Sequence, residues 1–247
     1  MPGAWLVLPT YNEADNLEPI VAAVLPRLAS ASRDHRLLIV DDSSPDGTGA
    51  IADRLAAEQE AVEVLHRTAK EGLGRAYLAG FRRALDGGAE LVLEMDADFS
   101  HDPADVPRQI GPAADADLVI GSRYVPDGGV TAWEWHRRLL SLGGCLYART
   151  VLGVPVNDLT GGFKCFHRRV LETIDLDDVH ADGYGFQIEM TYRAIRAGFD
   201  VKEIPIVFHE RRAGESKMDS RIAAEAAWKV LALRWRLRGR KVPRIAG

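Results

Sequence analysis

Two aspartates one residue apart, in Asp96-Ala97-Asp98, follow the apolar run 91–95. Residues i and i+2 of an extended chain face the same way, so this pair can hold one hard cation through oxygen atoms. A Mg²⁺ or Mn²⁺ ion there would bridge diphosphate oxygens and offset the charge of a departing nucleotide. The same pair also suits an acidic turn or a cap before Pro103. A second acidic pair, Asp41-Asp42, ends the run 37–40 within VDDSSPDGT. Carboxylates at a strand end accept from the N–H and O–H groups of a base or ribose, while Asp46 and Gly47 read as cap and turn. The segment LPTYNE brings Tyr11 and Glu13 out of a first strand together. Stacking and base recognition fit that composition, and so does a plain turn before a capped helix.

These groups need a frame to position them. Short apolar runs at 4–8, 37–40, 62–66, 91–95 and 118–121 read as buried strands. Helical patterns at 12–31, 46–59, 72–86 and 103–110 lie between them. Asn12 with Asp15, and Asp46 with Gly47, are the expected N-terminal caps, and Gly87-Gly88 ends the third helix. Repeated strand–helix units predict an α/β fold, a mostly parallel sheet with helices on both faces. Such sheets bind ligands beyond the carboxyl ends of their strands, where PTYNE, DDSSPDGT, DADFS and GSRY all lie. The second half predicts a Trp/Leu/Arg helix at 133–152, a Gly-rich loop at 157–162 and a short strand at 163–166. A helix at 186–197, a strand pair at 201–209 and a long amphipathic helix at 220–238 follow.

A chain of 247 residues can bury one large core, here with a helical appendage. Cys145 and Cys165 lack paired metal spacing and form no disulfide framework, so a reducing, cytoplasmic compartment is expected. No signal peptide is evident, and no apolar stretch reaches the ~18–20 residues of a membrane span. The net charge of −5 hides an asymmetry: residues 211–247 hold 11 Lys/Arg against 3 Asp/Glu, and the rest 20 against 33. A basic tail on an acidic body suggests an anionic partner for the tail; a solvated, arginine-rich helix is the plainer account.

In order along the chain stand LPTYNE, VDDSSPDGT, EGLGRAY, DADFSHDP, GSRYVPDGG, DLTGGFKCF, GYGFQIEM and GESKM. Together these resemble the polyprenol monophosphomannose synthases, the dolichol-phosphate-mannose-synthase-like members of glycosyltransferase family 2. The resemblance runs from Trp5 to Met218. It implies the GT-A nucleotide-sugar-binding fold over residues 1–217, with 218–247 as a basic amphipathic tail at the membrane interface. It also implies that Pro9, Tyr11, Glu13, Val40 and Asp42 contact the guanosine of GDP-mannose. Asp96, Ala97 and Asp98 would form the metal and diphosphate motif, with Asp98 the strongest ligand and Ser100 nearby. Arg211 and Lys217 match residues that hold the donor's diphosphate.

The acceptor side of the resemblance rests on Arg123, Arg137 and Ser141. Arg137 and Ser141 lie at i and i+4 on one helical face, and guanidinium forks match phosphate oxygens. Snorkelling beside Trp133 and Leu140 is the simpler role for Arg137. A phosphate acceptor is already anionic, so a strong general base is hardly needed. Direct in-line attack would invert the α-linked donor to a β-mannosyl phosphate. Asp158 and Glu189 are the remaining carboxylates of interest; Glu189 could instead pair with Arg193 on its own helix. The expected partners are GDP-mannose, a polyprenyl phosphate and the inner face of a membrane, bound peripherally through the two Trp/Leu/Arg helices. A membrane-protein partner could share that anchoring; no nucleic acid is expected. The alternative is a polyprenyl-phosphate glycosyltransferase using UDP-glucose or another nucleotide sugar, and a phosphatase or a non-catalytic adaptor at the membrane surface are readings from other classes.

Overall fold

The computed structural model describes residues 3–210 and 220–238, and of 220–226 the backbone alone. Four strands, β1 (Ala4–Thr10), β2 (His35–Asp41), β3 (Val62–His66) and β4 (Leu91–Glu94), alternate with helices α1 (Ala14–Ala31), α2 (Thr48–Glu58) and α3 (Leu73–Asp86). They are followed by α4 (Val106–Ile110), β5 (Leu118–Ser122), a two-residue β6 (Gly129–Val130) and α5 (Trp135–Leu152). The remainder comprises β7 (Lys164–His167), α6 (Arg168–Thr173), α7 (Tyr184–Ala197), β8 (Val201–Pro205), β9 (Val207–Phe208) and α8 (Ser220–Arg238).

The main sheet has the order β3-β2-β1-β4-β7-β5-β8. Strands β1 to β4 pair in parallel, as do β5 and β8, while β7 runs antiparallel between β4 and β5. The chain winds outward from β1 to β3 and then returns to the far side of β1 for β4. That reversal opens a crevice at the carboxyl ends of β1 and β4. β6 and β9 form a separate pair.

Both faces of the sheet are covered, as parallel strands require, and the pleat divides their side chains between two cores. Trp5, Val7, Leu38, Val40, Val92 and Phe166 join Tyr77 and Phe81 of α3 and Phe186 of α7 on one face. Leu6, Leu8, Leu37, Ile39, Leu91 and Leu93 join Leu17, Ile20 and Val24 of α1 on the other. Fully burying such a side chain contributes roughly 1.5–3 kcal/mol. Helix α8 shares the first core through Val230, Leu233 and Leu237, and Tyr147 of α5 donates a hydrogen bond to its Ala227 carbonyl at 3.0 Å. It therefore docks on the body of the protein.

One local expectation is corrected. Asn12 does not cap α1; it sits at φ 59° just before it. Asp46 serves both helices instead, its Oδ2 accepting from the N–H of Ala14 at 3.1 Å and its Oδ1 from the N–H of Thr48 at 3.0 Å. A carboxylate with two oxygens can satisfy the orphan donors of two neighbouring helix starts, a pairing across 32 residues that no local pattern signals.

Candidate active site

The crevice holds a cavity of about 240 Å³ lined by Pro9, Tyr11, Glu13, Asp42, Lys70, Asp96, Ala97 and Asp98, among others. Segments leaving β1, β2, β3 and β4 thus meet at one place. Val40 does not join this lining. Its side chain is wholly buried in the core, facing Gly80 of α3. Arg211 and Lys217 lie outside the described residues.

The aspartate pair is held from several sides. Tyr77 Oη donates to Asp96 Oδ1 at 3.1 Å, and the N–H of Asp96 donates to His101 Nδ1 at 3.5 Å. Asp98 is buried, its Oδ1 accepting from the N–H of Ser100 at 2.9 Å. Beneath the pair, Glu94 of β4 faces Lys164 of β7 across the antiparallel ladder, with Nζ 3.6 Å from Glu94 Oε1. Lys164 also donates to Gln187, at 3.0 Å to its carbonyl. Burial pushes the Glu94 carboxyl up to about 8, against the opposing pull of Lys164, and burial likewise lowers the Lys164 ammonium.

The donor set fits a divalent cation. Two carboxylates supply hard oxygen ligands and leave positions for phosphate oxygens and water, the habit of Mg²⁺. Among the described residues no group of three or more His, Cys, Asp or Glu side chains is placed to hold a metal ion, so a cation at the pair would need phosphate oxygens or water to fill its shell.

Two cations at the exit of β3 were not anticipated. Lys70 Nζ lies 3.6 Å from the centroid of the Tyr11 ring, and Arg67 Nη1 donates to Asp42 Oδ1 at 2.5 Å. Burial raises the pKa of Asp42, with Arg67 opposing the rise. The signal was available: HRTAKEG is a polar strand exit like the other four.

Arg123, Arg137 and Ser141 come together around aromatic rings. The Arg137 guanidinium carbon lies 4.2 Å from the Trp133 ring centroid, and its Nη1 is 3.5 Å from Glu210 Oε1. Ser141 Oγ accepts from Tyr124 Oη at 2.7 Å. Arg123 lies 5.2 Å from the Tyr124 ring centroid and 5.7 Å from that of Trp133. Its fork, however, closes on Asp158, with Nε and Nη2 both at 2.7 Å from the carboxylate, and Nη2 also reaches Thr160. Arg123 is therefore a buried ion-pair partner that fixes the loop 157–162, in place of a bare fork aimed at solvent. Burial alone would lower its pKa; the Asp158 charge outweighs that and raises it. For Asp158, too, burial works one way and Arg123 overcomes it, holding the carboxyl below its usual range. Glu189 forms the expected pair with Arg193, with Oε1 2.9 Å from Nε, and also accepts from Arg236 of α8.

The loop 157–162 joins the two clusters. Asp158 grips Arg123 at one end; at the other, a Cβ added to Gly162 would stand 3.6 Å from Asp96 Oδ2. An aromatic path runs alongside, from His101 to Phe208 at 5.3 Å and from Phe208 to Trp133 at 5.5 Å between ring centroids. The carboxylate pair and the Arg123–Arg137–Ser141 cluster thus flank one loop, 157–162.

Residues 5–175 match the family profile of Glycosyl transferase family 2. The chain belongs to glycosyltransferase family 2. This glycosyltransferase is 48% identical over 233 residues to an undecaprenyl-phosphate mannosyltransferase of Micrococcus luteus, covering 93% of this chain and 94% of the relative. It is 49% identical over 237 residues to a polyprenol monophosphomannose synthase of Mycolicibacterium smegmatis, covering 95% and 87%. Among solved structures it is similar to a glucosyl-3-phosphoglycerate synthase of Mycobacterium tuberculosis in complex with phosphoglyceric acid, at TM-score 0.69 and 18% identity, covering 95% of this chain and 80% of that one. A mannosyltransferase of Pyrobaculum calidifontis in complex with GDP-mannose and Mn²⁺ superposes at TM-score 0.66 and 21% identity, covering 98% and 66%. The glycosyltransferase has the GT-A fold, a mostly parallel mixed sheet flanked by helices.

Proposed function

We propose that this glycosyltransferase moves mannose from GDP-mannose to a polyprenyl phosphate, with inversion, at a membrane surface. The observation that carries this reading is the joining of the Asp96/Asp98 cleft to the Arg123–Arg137–Ser141 cluster through the loop 157–162. The relatives named as polyprenol-phosphate mannosyltransferases, 48–49% identical over nearly the whole chain, support the choice of sugar and lipid.

Asp96 and Asp98 would hold a Mg²⁺ or Mn²⁺ ion, which when bound supplies charge neutralisation for the departing diphosphate. Tyr11, with Glu13 and Asp42 beside it, offers a ring face and acceptors for the base. Arg137 presents donors to the acceptor phosphate while stacked on Trp133, and Ser141 lies one turn away to bind a further oxygen. Arg123 holds Asp158 and its loop against both clusters. Because the acceptor oxygen is already anionic, these residues have only to align it and counter its repulsion from the donor.

The lipid must be met at an interface. No helix among the described residues is long and apolar enough to cross a membrane. Helix α5 instead exposes Trp135 (77%), Leu139 (62%) and Leu146 (61%), and α8 exposes Trp228 (70%) and Trp235 (75%). Apolar stripes beside arginines suit a helix lying in the headgroup layer, which supports peripheral attachment to a membrane; the inner face of the cell membrane is the one we propose.

The test is incubation of purified protein with Mn²⁺, a short polyprenyl phosphate and either labelled GDP-mannose or labelled UDP-glucose. The expected result is a mannosyl lipid that requires the metal. Labelled lipid from UDP-glucose in preference to GDP-mannose would transfer the reading to the alternative donor.

A further inference from the structure

The stretches EGLGRAY and GYGFQIEM lie more than 100 residues apart in the sequence, yet the fold locks them together. Asp182, just before α7, accepts through Oδ1 from the N–H of Gly74 at 2.8 Å, satisfying an otherwise orphan donor in the first turn of α3. The fit is tight. A Cβ on Gly72, at φ 105°, would fall 2.2 Å from Asp182 Oδ2, and one on Gly74 would fall 2.8 Å from the Ala181 carbonyl oxygen. Only glycine permits so close an approach. One turn into α3, the Tyr77 ring is wholly buried and lies parallel to that of Phe186, 5.8 Å between centroids and 4° between planes. Phe81 closes on it at 5.9 Å.

A ring gripped on this scale has one rotamer and one direction for its hydroxyl, and here that hydroxyl donates to Asp96 Oδ1 at 3.1 Å. We propose that Tyr77 is a positioning residue for the metal site: the α3 start and the segment 181–186 form a clamp that aims its hydroxyl at Asp96 and fixes the carboxylate for coordination. The proposal rests on the assignment of Asp96 as a metal ligand. Outer partners that orient a ligating group change metal affinity by about 10–100-fold when removed. The buried tyrosine contributes orientation without adding charge to the site.

The test is Mn²⁺ binding to the purified protein with GDP present, followed by the paramagnetic signal of free Mn²⁺, for the wild type and for Tyr77→Phe, Phe186→Leu and Asp98→Ala. Tyr77→Phe keeps the ring and removes only the hydroxyl. It should weaken Mn²⁺ binding by about 10-fold, leave metal-free GDP binding unchanged, and shift Tm by no more than about 2–4 °C. Phe186→Leu should loosen the ring and weaken Mn²⁺ binding by a smaller factor in the same direction. Wild-type Mn²⁺ affinity in Tyr77→Phe would overturn the proposal, as would equal losses of Mn²⁺ and metal-free GDP binding. Asp98→Ala separates the two readings. If the wild type bound no Mn²⁺ that this change abolished, the metal assignment would fail and Tyr77 would have no ligand to orient.

Discussion

At the scale of single residues, Asp158 shows how a side chain acquires its part from its surroundings. It accepts from the guanidinium and the backbone N–H of Arg123 and from the N–H of Gly161 at 3.1 Å, within a fully buried site. Breaking a buried ion pair by removing one charge leaves the other uncompensated. Asp158→Asn should therefore lower thermal stability at neutral pH and reduce transfer through displacement of the loop. The sign with pH follows from the lowered carboxyl. A group whose folded pKa lies below its unfolded value stabilises at pH above the unfolded pKa, and that contribution disappears as pH falls through the folded one. The Tm deficit of Asp158→Asn should accordingly be full at pH 7 and shrink below about pH 4. A deficit independent of pH would show that the pair contributes no charge-dependent stability.

At the scale of elements, the apolar stripes of α5 and α8 are the features that the body of the protein leaves uncovered. Trp135, Leu139, Leu142 and Leu146 follow one face of α5, and Trp228, Leu231 and Trp235 follow one face of α8, all exposed. The inward residues of the same helices, Cys145, Ala148, Val230 and Leu233, are buried. Replacing Trp135, Trp228 and Trp235 together by Ser should weaken sedimentation with anionic phosphatidylglycerol vesicles by at least about 10-fold, since each ring removes a large apolar area from the interface. GDP binding should be unchanged. Undiminished vesicle binding would send the membrane contact elsewhere on the surface.

For the whole molecule, the parallel half was legible because strands covered on both faces must read as continuous apolar runs. Each polar exit then marked a wall of the crevice, and the span of α8 emerged at the expected 220–238. What stayed hidden were pairings between distant segments. Lys164 and Glu94 are 70 residues apart in sequence, and nothing local reveals that β7 slips in antiparallel and sets one charge against the other. Arg123 likewise read as a bare phosphate ligand because Asp158 reaches it only through the fold. Val40 entered the expected nucleotide wall through the family resemblance alone, and its side chain packs in the core beside Gly80. The central claim is that Asp96 and Asp98, at the switch point of this sheet, hold the one cation that lets two phosphate-bearing substrates meet. The measurement that tests it most directly is anomalous diffraction at the manganese edge from crystals grown with GDP and Mn²⁺. The account predicts a single strong peak between those two carboxylates and the GDP diphosphate; nucleotide bound elsewhere, with no peak at the pair, would contradict it.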